Sequence, residues 1–265
     1  MVSLKTRLQQ PGYFMGRIVM KNKVLAVIPA RLQSKRFPGK VLYEINGKSL
    51  LEHLYREANR ADLIDKVVIA TDSDEVIRAV SQFGGEAMKT SKRHRTGSDR
   101  TAEVAEKLGA DIIINIQADN LGVKAGDYDK IIAEMVSDRT IKYATFVKRI
   151  ESEDELYNPN RVKVIFNREN YALWFSRYPL PFLQDKNGNR VEKFNFYYHI
   201  GIYFYRKSAL KNFATSPRTP LEKAESLEQL RILENSGKIR VFKLKRKIWS
   251  IDTPDDTRKA GRFLL

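Results

Sequence analysis

The chain has 265 residues but no cysteine and only three histidines, His53, His94 and His199. The lack of cysteine excludes a disulfide framework and a thiolate metal site, and so few histidines argue against a His-rich zinc site. No segment approaches the roughly 20 apolar residues of a membrane span, and residues 1–20 lack the apolar core of a signal peptide. We therefore expect a cytoplasmic protein with a flexible arm at residues 1–20, and a hard cation on oxygen ligands is the metal option left.

Negative charge is scarce relative to positive charge. The chain has 32 acidic residues against 48 lysines and arginines, for a formal net charge of +16. This excess suggests an anionic partner, but a nucleotide, an RNA and a membrane surface would each satisfy it. The hydrophobic content of 42% is enough for one large or two modest domains with a core, so a wholly disordered chain is excluded.

Short apolar runs alternate with amphipathic segments in the first half of the chain. The runs are rich in β-branched residues, which is typical of strands buried on both faces of a parallel sheet. They span residues 24–28, 67–70 and 112–116. Amphipathic periodicity predicts helices at residues 50–61, 74–83 and 102–108, the second capped by Ser73. The alternation predicts an α/β fold with a doubly wound, mostly parallel sheet.

The pattern changes after about Tyr143, where aromatic, strand-like runs are joined by turn signals. These runs span residues 143–149, 162–167, 171–176 and 199–206. They predict an antiparallel extension at 143–206, beside a domain made of 21–142 and 207–265. A helix at 222–235, a strand at 241–244 and a final helix capped by Thr253 are expected to close the chain.

The stretch from Val24 to Lys40 is the most informative part of the sequence. A buried strand leads directly into a loop with four cationic side chains, Arg31, Lys35, Arg36 and Lys40. Nucleotides usually bind at the loop that follows the first strand of an open α/β sheet. The loop therefore suggests a triphosphate site, although a solvated basic loop would have the same composition.

Three further segments bear on chemistry. Residues 96–100, Thr-Gly-Ser-Asp-Arg, form a small polar turn that suits a base or ribose, or is an ordinary helix start. Asp119 ends a buried strand, where an unpaired carboxylate is costly, and a Mg²⁺ ion bridging it to phosphate would explain its position. Because Thr253 already supplies the helix cap, the preceding Asp252 is available as a second Mg²⁺ ligand.

Eight ordered motifs make the sequence similar to the 3-deoxy-manno-octulosonate (Kdo) cytidylyltransferases, from Val24 to the C-terminus. They are PARLQSKRFPGK, RTGSDR, QAD, NPN followed by VKV, YALWFSR, HIGIY, LEKAESLEQLR and IDTPDD. The resemblance implies a homodimeric α/β enzyme of nucleotidyltransferase fold that joins CTP to Kdo, or an analogue such as 8-amino-Kdo. The products would be the CMP-sugar and pyrophosphate, for lipopolysaccharide biosynthesis. The related CMP-sialate synthetases share the opening loop in a glycine-richer form and stay as the near alternative.

The resemblance also implies roles for individual residues. It assigns the CTP phosphates and ribose to Arg31, Ser34, Arg36 and Lys40, and the cytidine to Thr96, Gly97, Ser98 and Arg100, and it places Gln117 beside the ribose. It assigns Mg²⁺ to Asp119 and Asp252, which with Arg31 and Lys40 would be the catalytic residues. It assigns the sugar acid to Arg177, His199, Tyr203, Glu228 and Gln229, with Arg177 on the sugar carboxylate.

The chain departs from the family pattern beside the expected metal ligand. The pattern reads Gln-Gly-Asp-Glu-Pro where this sequence has Gln-Ala-Asp-Asn-Leu at 117–121. Ala118 adds a methyl group near the nucleotide, and Asn120 removes one negative charge. This change favours a catalytically silent nucleotide binder as one alternative. A basic RNA-binding protein is the other, but it leaves the strand-end aspartates unexplained, so we expect small-molecule substrates rather than nucleic acid.

Overall fold

The computed structural model describes residues 22–33, 37–185, 187–251 and 253–262. The chain divides into two compact units, Met1–Asp138 with Trp249–Leu265, and Arg139–Ile248. Residues 207–248, which the sequence analysis grouped with the first domain, cluster with the second unit. The expected arm at residues 1–20 lies outside the described residues.

The described residues form short strands and helices in close alternation. The strands are β1 Val24–Ala30, β2 Glu44–Ile45, β3 Lys48–Ser49, β4 Lys66–Thr71, β5 Ala87–Lys89, β6 Ile112–Ile116, β7 Asn120–Leu121, β8 Tyr143–Arg149, β9 Lys163–Phe166, β10 Ala172–Ser176, β11 Tyr197–Arg206, β12 Ile239–Leu244 and β13 Trp249–Ser250. The helices are α1 Leu50–Asn59, α2 Asp74–Gln82, α3 Gly97–Leu108, α4 Ala125–Ser137, α5 Glu153–Tyr157, α6 Arg190–Lys193, α7 Lys207–Thr215, α8 Pro220–Glu225, α9 Leu230–Glu234 and α10 Pro254–Gly261. None of these helices combines the length and the apolar character needed to cross a membrane.

The first unit is built on a parallel sheet, as the apolar runs predicted. Strand β1 pairs in parallel with β4 on one side and β6 on the other, and β5 extends the sheet beyond β4. Every residue of β6 and nearly every residue of β1 is buried, because helices α1, α2 and α3 pack against the sheet. The prediction of a mostly parallel α/β fold is confirmed.

The helix predicted at residues 102–108 begins earlier, at Gly97. The polar turn before it is itself the first turn of the helix. The Thr96 side chain accepts a hydrogen bond from the Asp99 backbone N–H, and the Asp99 carboxylate accepts one from the Thr96 N–H. This capping box satisfies backbone N–H groups that have no partner inside the helix, so the helix begins directly after Thr96.

The second unit contains the antiparallel strands expected from its aromatic runs. Strand β11 pairs antiparallel with β8 and with β9, and β9 pairs antiparallel with β10. Strand β12 joins β8 in parallel, so this sheet is mixed at that edge. In the long strand β11 every second residue is buried as far as Ile202, and the next three, Tyr203, Phe204 and Tyr205, are all in the core.

The single helix predicted at residues 222–235 is wrong, since the structure has α8 and α9 in its place. Helix α8 starts early, at Pro220, where the Glu222 carboxylate accepts a hydrogen bond from the Thr219 N–H at 3.3 Å. It ends at Ser226, whose φ of 53° lies in the left-handed region that terminates helices. By contrast, the final helix begins at Pro254 with Thr253 as its cap, as predicted.

Candidate active site

Parallel pairing brings the carboxyl ends of β1, β4 and β6 to one edge of the first unit. Ala30 lies opposite Thr71 in the β1–β4 register, and Val27 lies opposite Asn115 in the β1–β6 register. The residues that follow these strands therefore share an edge, among them Arg31 and Gln117. In open α/β sheets this edge forms the crevice in which ligands bind.

A cavity of about 430 Å³ opens at this edge. Its lining is strongly cationic and includes one carboxylate. The lining residues are Arg31, Leu32, Gln33, Asp72, Ser73, Lys92, His94 and Arg100. Such a lining suits an anionic ligand that also carries hydrogen-bonding groups.

Gly39 turns the loop after β1 back towards the end of that strand. Gly39 adopts a φ of 71°, which a glycine takes without steric cost, and its N–H donates to the Leu32 carbonyl at 2.9 Å. Arg31, at the root of the loop, donates from Nη2 to the His94 carbonyl at 2.5 Å. Ser34 and Arg36, both expected at the phosphates, lie outside the described residues.

Three motifs that are far apart in the sequence meet at Ile251. The Lys40 ammonium donates to the Ile251 carbonyl at 2.9 Å, and the Ile251 N–H donates to the Asp119 carbonyl at 2.8 Å. The short pairing of β7 with β13 supports the same junction, with Ser250 opposite Asn120. The structure therefore brings the predicted Lys40 and Asp119 together. Asp252 follows Ile251 directly but lies outside the described residues.

The Asp119 carboxylate is oriented by the residue that departs from the family pattern. Asn120 is 8% exposed, and its side-chain amide donates to Asp119 Oδ1 at 2.5 Å. An acidic residue in this position would repel that oxygen, whereas the amide holds it. Within the described ranges, no group of three or more acidic, histidine or cysteine residues forms a complete metal cage. Mg²⁺ is commonly held by one or two carboxylates together with substrate phosphates, so Asp119 fits a Mg²⁺ ion shared with a phosphate ligand.

The turn at 96–100 packs closely against β1. A Cβ atom on Gly97 would lie 3.0 Å from Pro29 Cγ, so only glycine fits there without movement. Ser98 is buried and accepts a hydrogen bond from the Asn115 amide at 3.3 Å. The buried Asn115 Oδ1 has no hydrogen-bond partner among the described residues. Contacts of Thr96, Gly97, Ser98 and Gln117 with cytidine stay predictions.

Arg100 is buried and already bonded within the protein. Its side chain is 1% exposed, with Nη1 donating to Thr90 Oγ1 at 2.5 Å and Nη2 to Asp72 Oδ2 at 2.7 Å. Arg100 therefore holds Asp72 at the cavity wall, and its own contact with cytidine stays a prediction. Sequence reasoning missed Asp72, although it follows β4 in the way that Arg31 follows β1.

A charged network ties the cavity wall to α3. Glu103 accepts hydrogen bonds from Lys107, from the Ser91 N–H and from His94. Burial alone would raise the pKa of Glu103, but these hydrogen bonds and the Lys107 charge outweigh it and lower the pKa to about 2. The carboxylate is therefore ionised at neutral pH and anchors the segment that contains His94.

In the second unit, the predicted sugar-contacting residues on β11 and α9 lie together. Tyr203 Oη donates to Gln229 Oε1 at 3.0 Å, and the His199 and Tyr203 rings lie 5.0 Å apart. Gln229 is 3% exposed, and its Nε2 has no hydrogen-bond partner in the part of the chain that the structure describes. Buried amide donors without a partner are rare and mark places that a ligand or a water satisfies.

His199 is held between aromatic rings and a hydroxyl. Its Nε2 lies 3.0 Å from Thr145 Oγ1, and the Phe175 ring packs 5.3 Å away, centroid to centroid. Burial lowers the pKa of His199 to about 3, because a charged imidazolium would lose its hydration. His199 is therefore neutral at physiological pH and acts as a hydrogen-bonding group rather than a cation.

Arg177 donates hydrogen bonds to three backbone carbonyls in this structure. It donates from Nε to the Glu225 carbonyl at 2.9 Å, from Nη1 to the Pro159 carbonyl at 3.0 Å, and from Nη2 to the Ser226 carbonyl at 3.4 Å. Its contact with a sugar carboxylate stays a prediction. So does the contact of Glu228, which is half-buried at the turn between α8 and α9.

Lys163, in the Val-Lys-Val motif, is a buried cation that sequence reasoning did not single out. Its side chain is fully buried, and its ammonium donates to the Asn158 carbonyl at 3.0 Å. Burial and the nearby Arg177 charge lower the pKa of Lys163 to about 8, against the opposing effect of Glu225. Lys163 and Arg177 are thus two cations that lie close together in the second unit.

Comparisons with known proteins identify the class. The sequence model of a family described as Cytidylyltransferase matches residues 25–240. The 3-deoxy-manno-octulosonate cytidylyltransferase of Geobacter sulfurreducens is 44% identical over 89% of this chain and 97% of its own length. That of Geobacter metallireducens is 45% identical over 92% of this chain and 100% of its own length.

A solved structure is similar over the same extent. It is CMP:2-keto-3-deoxy-manno-octonic acid synthetase complexed with CTP, which superposes with a TM-score of 0.84 at 37% identity. The match covers 91% of this chain and 98% of that one. The fold is that of a nucleotidyltransferase of the cytidylyltransferase class. Within that class, the chain belongs to the 3-deoxy-manno-octulosonate cytidylyltransferase family.

Proposed function

We propose that this protein joins CTP to Kdo, or to a close analogue of Kdo, and releases pyrophosphate. The observation that carries the proposal is the similarity to named Kdo cytidylyltransferases, which extends over about nine-tenths of the chain, at 44% and 45% identity. CTP is a cytosolic nucleotide, so we place the reaction in the cytoplasm. The CMP-sugar would serve lipopolysaccharide synthesis.

The chemistry is an in-line substitution at phosphorus. The anomeric hydroxyl oxygen of the sugar forms a bond to the α-phosphorus of CTP and loses its proton to solvent, while the bond from that phosphorus to pyrophosphate breaks. Such a reaction needs no covalent enzyme intermediate, because positioning and charge neutralisation lower the barrier. Arg31 and Lys40, in the loop after β1, would neutralise the negative charge that gathers on the leaving pyrophosphate. Ser34 and Arg36 would complete the phosphate contacts.

Asp119 would hold Mg²⁺ together with Asp252 and the phosphate oxygens. When bound, the ion neutralises phosphate charge and helps to orient the triphosphate. The Asn120 amide keeps Asp119 Oδ1 in a fixed position and so orders the carboxylate that the ion would need. This geometry supports an active enzyme rather than a silent nucleotide binder, because the departure from the family pattern preserves the carboxylate and orders it.

The sugar acid would bind at the polar cluster of the second unit. The buried Gln229 amide offers N–H donors, and Tyr203 and His199 add two more hydrogen-bonding groups beside it. Arg177 and Glu228 would complete the set that the family resemblance implies. Hydroxyl groups of a sugar suit such a cluster because each one both donates and accepts.

We also propose that two copies of the chain associate through exposed aromatic and apolar side chains of the second unit. Tyr178 is 78% exposed, Phe182 is 72% exposed and Leu173 is 56% exposed. Exposed apolar side chains often mark an interface where they form a contiguous patch. Sedimentation analysis of a Tyr178→Asp variant should show a monomer where the wild type sediments as a dimer. A monomeric wild type would contradict the proposal.

The function is tested by pyrophosphate release in the presence of CTP and Mg²⁺. Kdo, 8-amino-Kdo and sialic acid are compared as acceptors, with UTP in place of CTP as the nucleotide control. Release with one of these sugars, dependent on CTP and lost in an Asp119→Asn variant, supports the proposal and names the acceptor. A protein that binds CTP but releases no pyrophosphate with any acceptor would be a silent binder, and the proposal would fail.

A further inference from the structure

The pairing of β8 with β11 is interrupted beside His199. Ile200 lies opposite Phe146, but the next paired residue, Tyr203, lies opposite Thr145. Gly201 and Ile202 therefore have no opposite residue on β8, as in a β-bulge. Bulges leave backbone groups outside the ladder, and these groups need other partners.

The Thr145 hydroxyl supplies one of those partners. Thr145 is fully buried, and Oγ1 lies 2.7 Å from the Ile202 carbonyl and 3.2 Å from the Ile200 carbonyl. Carbonyl oxygens only accept hydrogen bonds, so the hydroxyl must donate its proton to the bulge. Its better-placed acceptor is the Ile202 carbonyl, because the distance is shorter.

The single hydroxyl proton determines where the His199 proton lies. Thr145 Oγ1 has one hydrogen, which it donates to a carbonyl of the bulge. In its contact with His199 Nε2, at 3.0 Å, the same oxygen can therefore only accept a hydrogen bond. Nε2 must then carry the imidazole hydrogen. A neutral imidazole has only one such hydrogen, so Nδ1 is left with a lone pair. Nδ1 makes no hydrogen bond with the residues that the structure describes.

We propose that Thr145 is a positioning residue that holds His199 as the Nε2–H tautomer, so that Nδ1 accepts a hydrogen bond from the sugar acid. The substrate group on Nδ1 must then be a donor, a hydroxyl or an amine hydrogen. The assignment of the sugar to this cluster rests on the proposed function, whereas the tautomer rests on the bulge geometry alone. His199 would accept a hydrogen bond from a polar substrate, and the buried Gln229 amide would donate one to it.

Burial keeps the ring in the neutral state that this arrangement needs. The pKa of His199 lies at about 3, so protonation of Nδ1 does not compete with the substrate hydrogen bond near neutral pH. The ring is also fixed in direction, since the His199 backbone N–H donates to the Val162 carbonyl at 2.8 Å and two aromatic rings flank the imidazole.

The tautomer is measured by two-bond ¹H–¹⁵N correlation spectra of the histidine-labelled full chain near neutral pH. The sequence has only three imidazoles, so a His199→Gln variant assigns the signal by its loss. We expect a protonated Nε2 and a bare Nδ1 at His199 in the wild type and in Thr145→Ser, which keeps the hydroxyl. Thr145→Val should broaden or redistribute the two nitrogen shifts. A wild-type Nδ1–H tautomer, or unchanged shifts in Thr145→Val, would overturn the proposal.

Kinetics test the consequence for the substrate. Losing one oriented hydrogen bond should raise the KM for the sugar about tenfold in Thr145→Val, with the KM for CTP unchanged and Thr145→Ser close to wild type. Equal effects on both KM values would indicate a general structural defect and overturn the positioning role. If Thr145→Val does not fold, the wild-type and Thr145→Ser spectra still decide the tautomer. If the wild type uses no sugar at all, the proposed function fails. The NMR spectra still determine the His199 tautomer, because they do not depend on activity.

Discussion

Replacing Asp72 by Asn removes the charge that pairs with Arg100 at the wall of the cavity beside β1 and β4. Arg100 is 1% exposed and Asp72 is 26% exposed, with 2.7 Å between Nη2 and Oδ2. Two unit charges about 4 Å apart attract by about 4 kcal/mol at an effective dielectric constant of about 20. Asparagine keeps an oxygen acceptor and the site is partly solvated, so we expect a loss of about 2–3 kcal/mol.

The assay is thermal unfolding of the full chain, in which this loss should lower the apparent melting temperature by roughly 5–10 °C. Asp74→Asn is the matched control, because Asp74 pairs with Lys89 at 2.6 Å but the two side chains are 64% and 57% exposed. An exposed pair of this kind contributes little to stability and weakens in salt. If Asp72→Asn and Asp74→Asn melt at the same temperature, the argument that burial gives the Arg100 pair its strength is refuted.

Glu222→Gln should destabilise the chain by about 3 kcal/mol in urea unfolding, since the 1%-exposed carboxylate takes two hydrogen bonds of 2.7 Å from Arg231. A loss under 1 kcal/mol would contradict this. The pKa of His199 is about 3 in the folded chain against 6.5 in a free side chain, so the unfolded chain binds the extra proton. The stability that neutral His199 contributes is therefore complete above pH 6.5. As the pH falls towards about 3, the free energy of unfolding declines by up to about 1.4 kcal/mol per pH unit, and His199→Gln should remove this slope. Gly97→Ala places a methyl group 3.0 Å from Pro29 Cγ, and should raise the KM for CTP severalfold while the KM for the sugar is unchanged.

Features set by local sequence were predictable. The strands of the parallel sheet are continuous apolar runs, and the caps at Ser73 and Thr253 are short-range signals, so each was found within a residue or two of its place. The convergence of Lys40 and Asp119 also followed, because both lie after strands whose carboxyl ends share an edge. In each of these cases, the deciding interaction lies within a few residues or follows from parallel pairing.

Features set by distant partners were not predictable. The helix predicted at 222–235 breaks at Ser226, whose φ of 53° is left-handed, and Glu222 pairs with Arg231 across that break. Arg177 has the right chemistry for a carboxylate, yet its guanidinium satisfies backbone carbonyls that only the folded chain brings near. The Thr145 contact joins two strands at a bulge and connects residues 55 and 57 positions apart in the sequence.

The most direct test of the account is the structure of the phosphorus product formed from CTP and Kdo. Phosphorus NMR of the reaction mixture with Mg²⁺ should show a new phosphodiester signal and free pyrophosphate in equal amounts, and mass spectrometry should give the mass of CMP-Kdo. Neither signal should form with Asp119→Asn. Pyrophosphate released together with free CMP, or no change in the CTP spectrum, would contradict the assignment of this chain as a Kdo cytidylyltransferase.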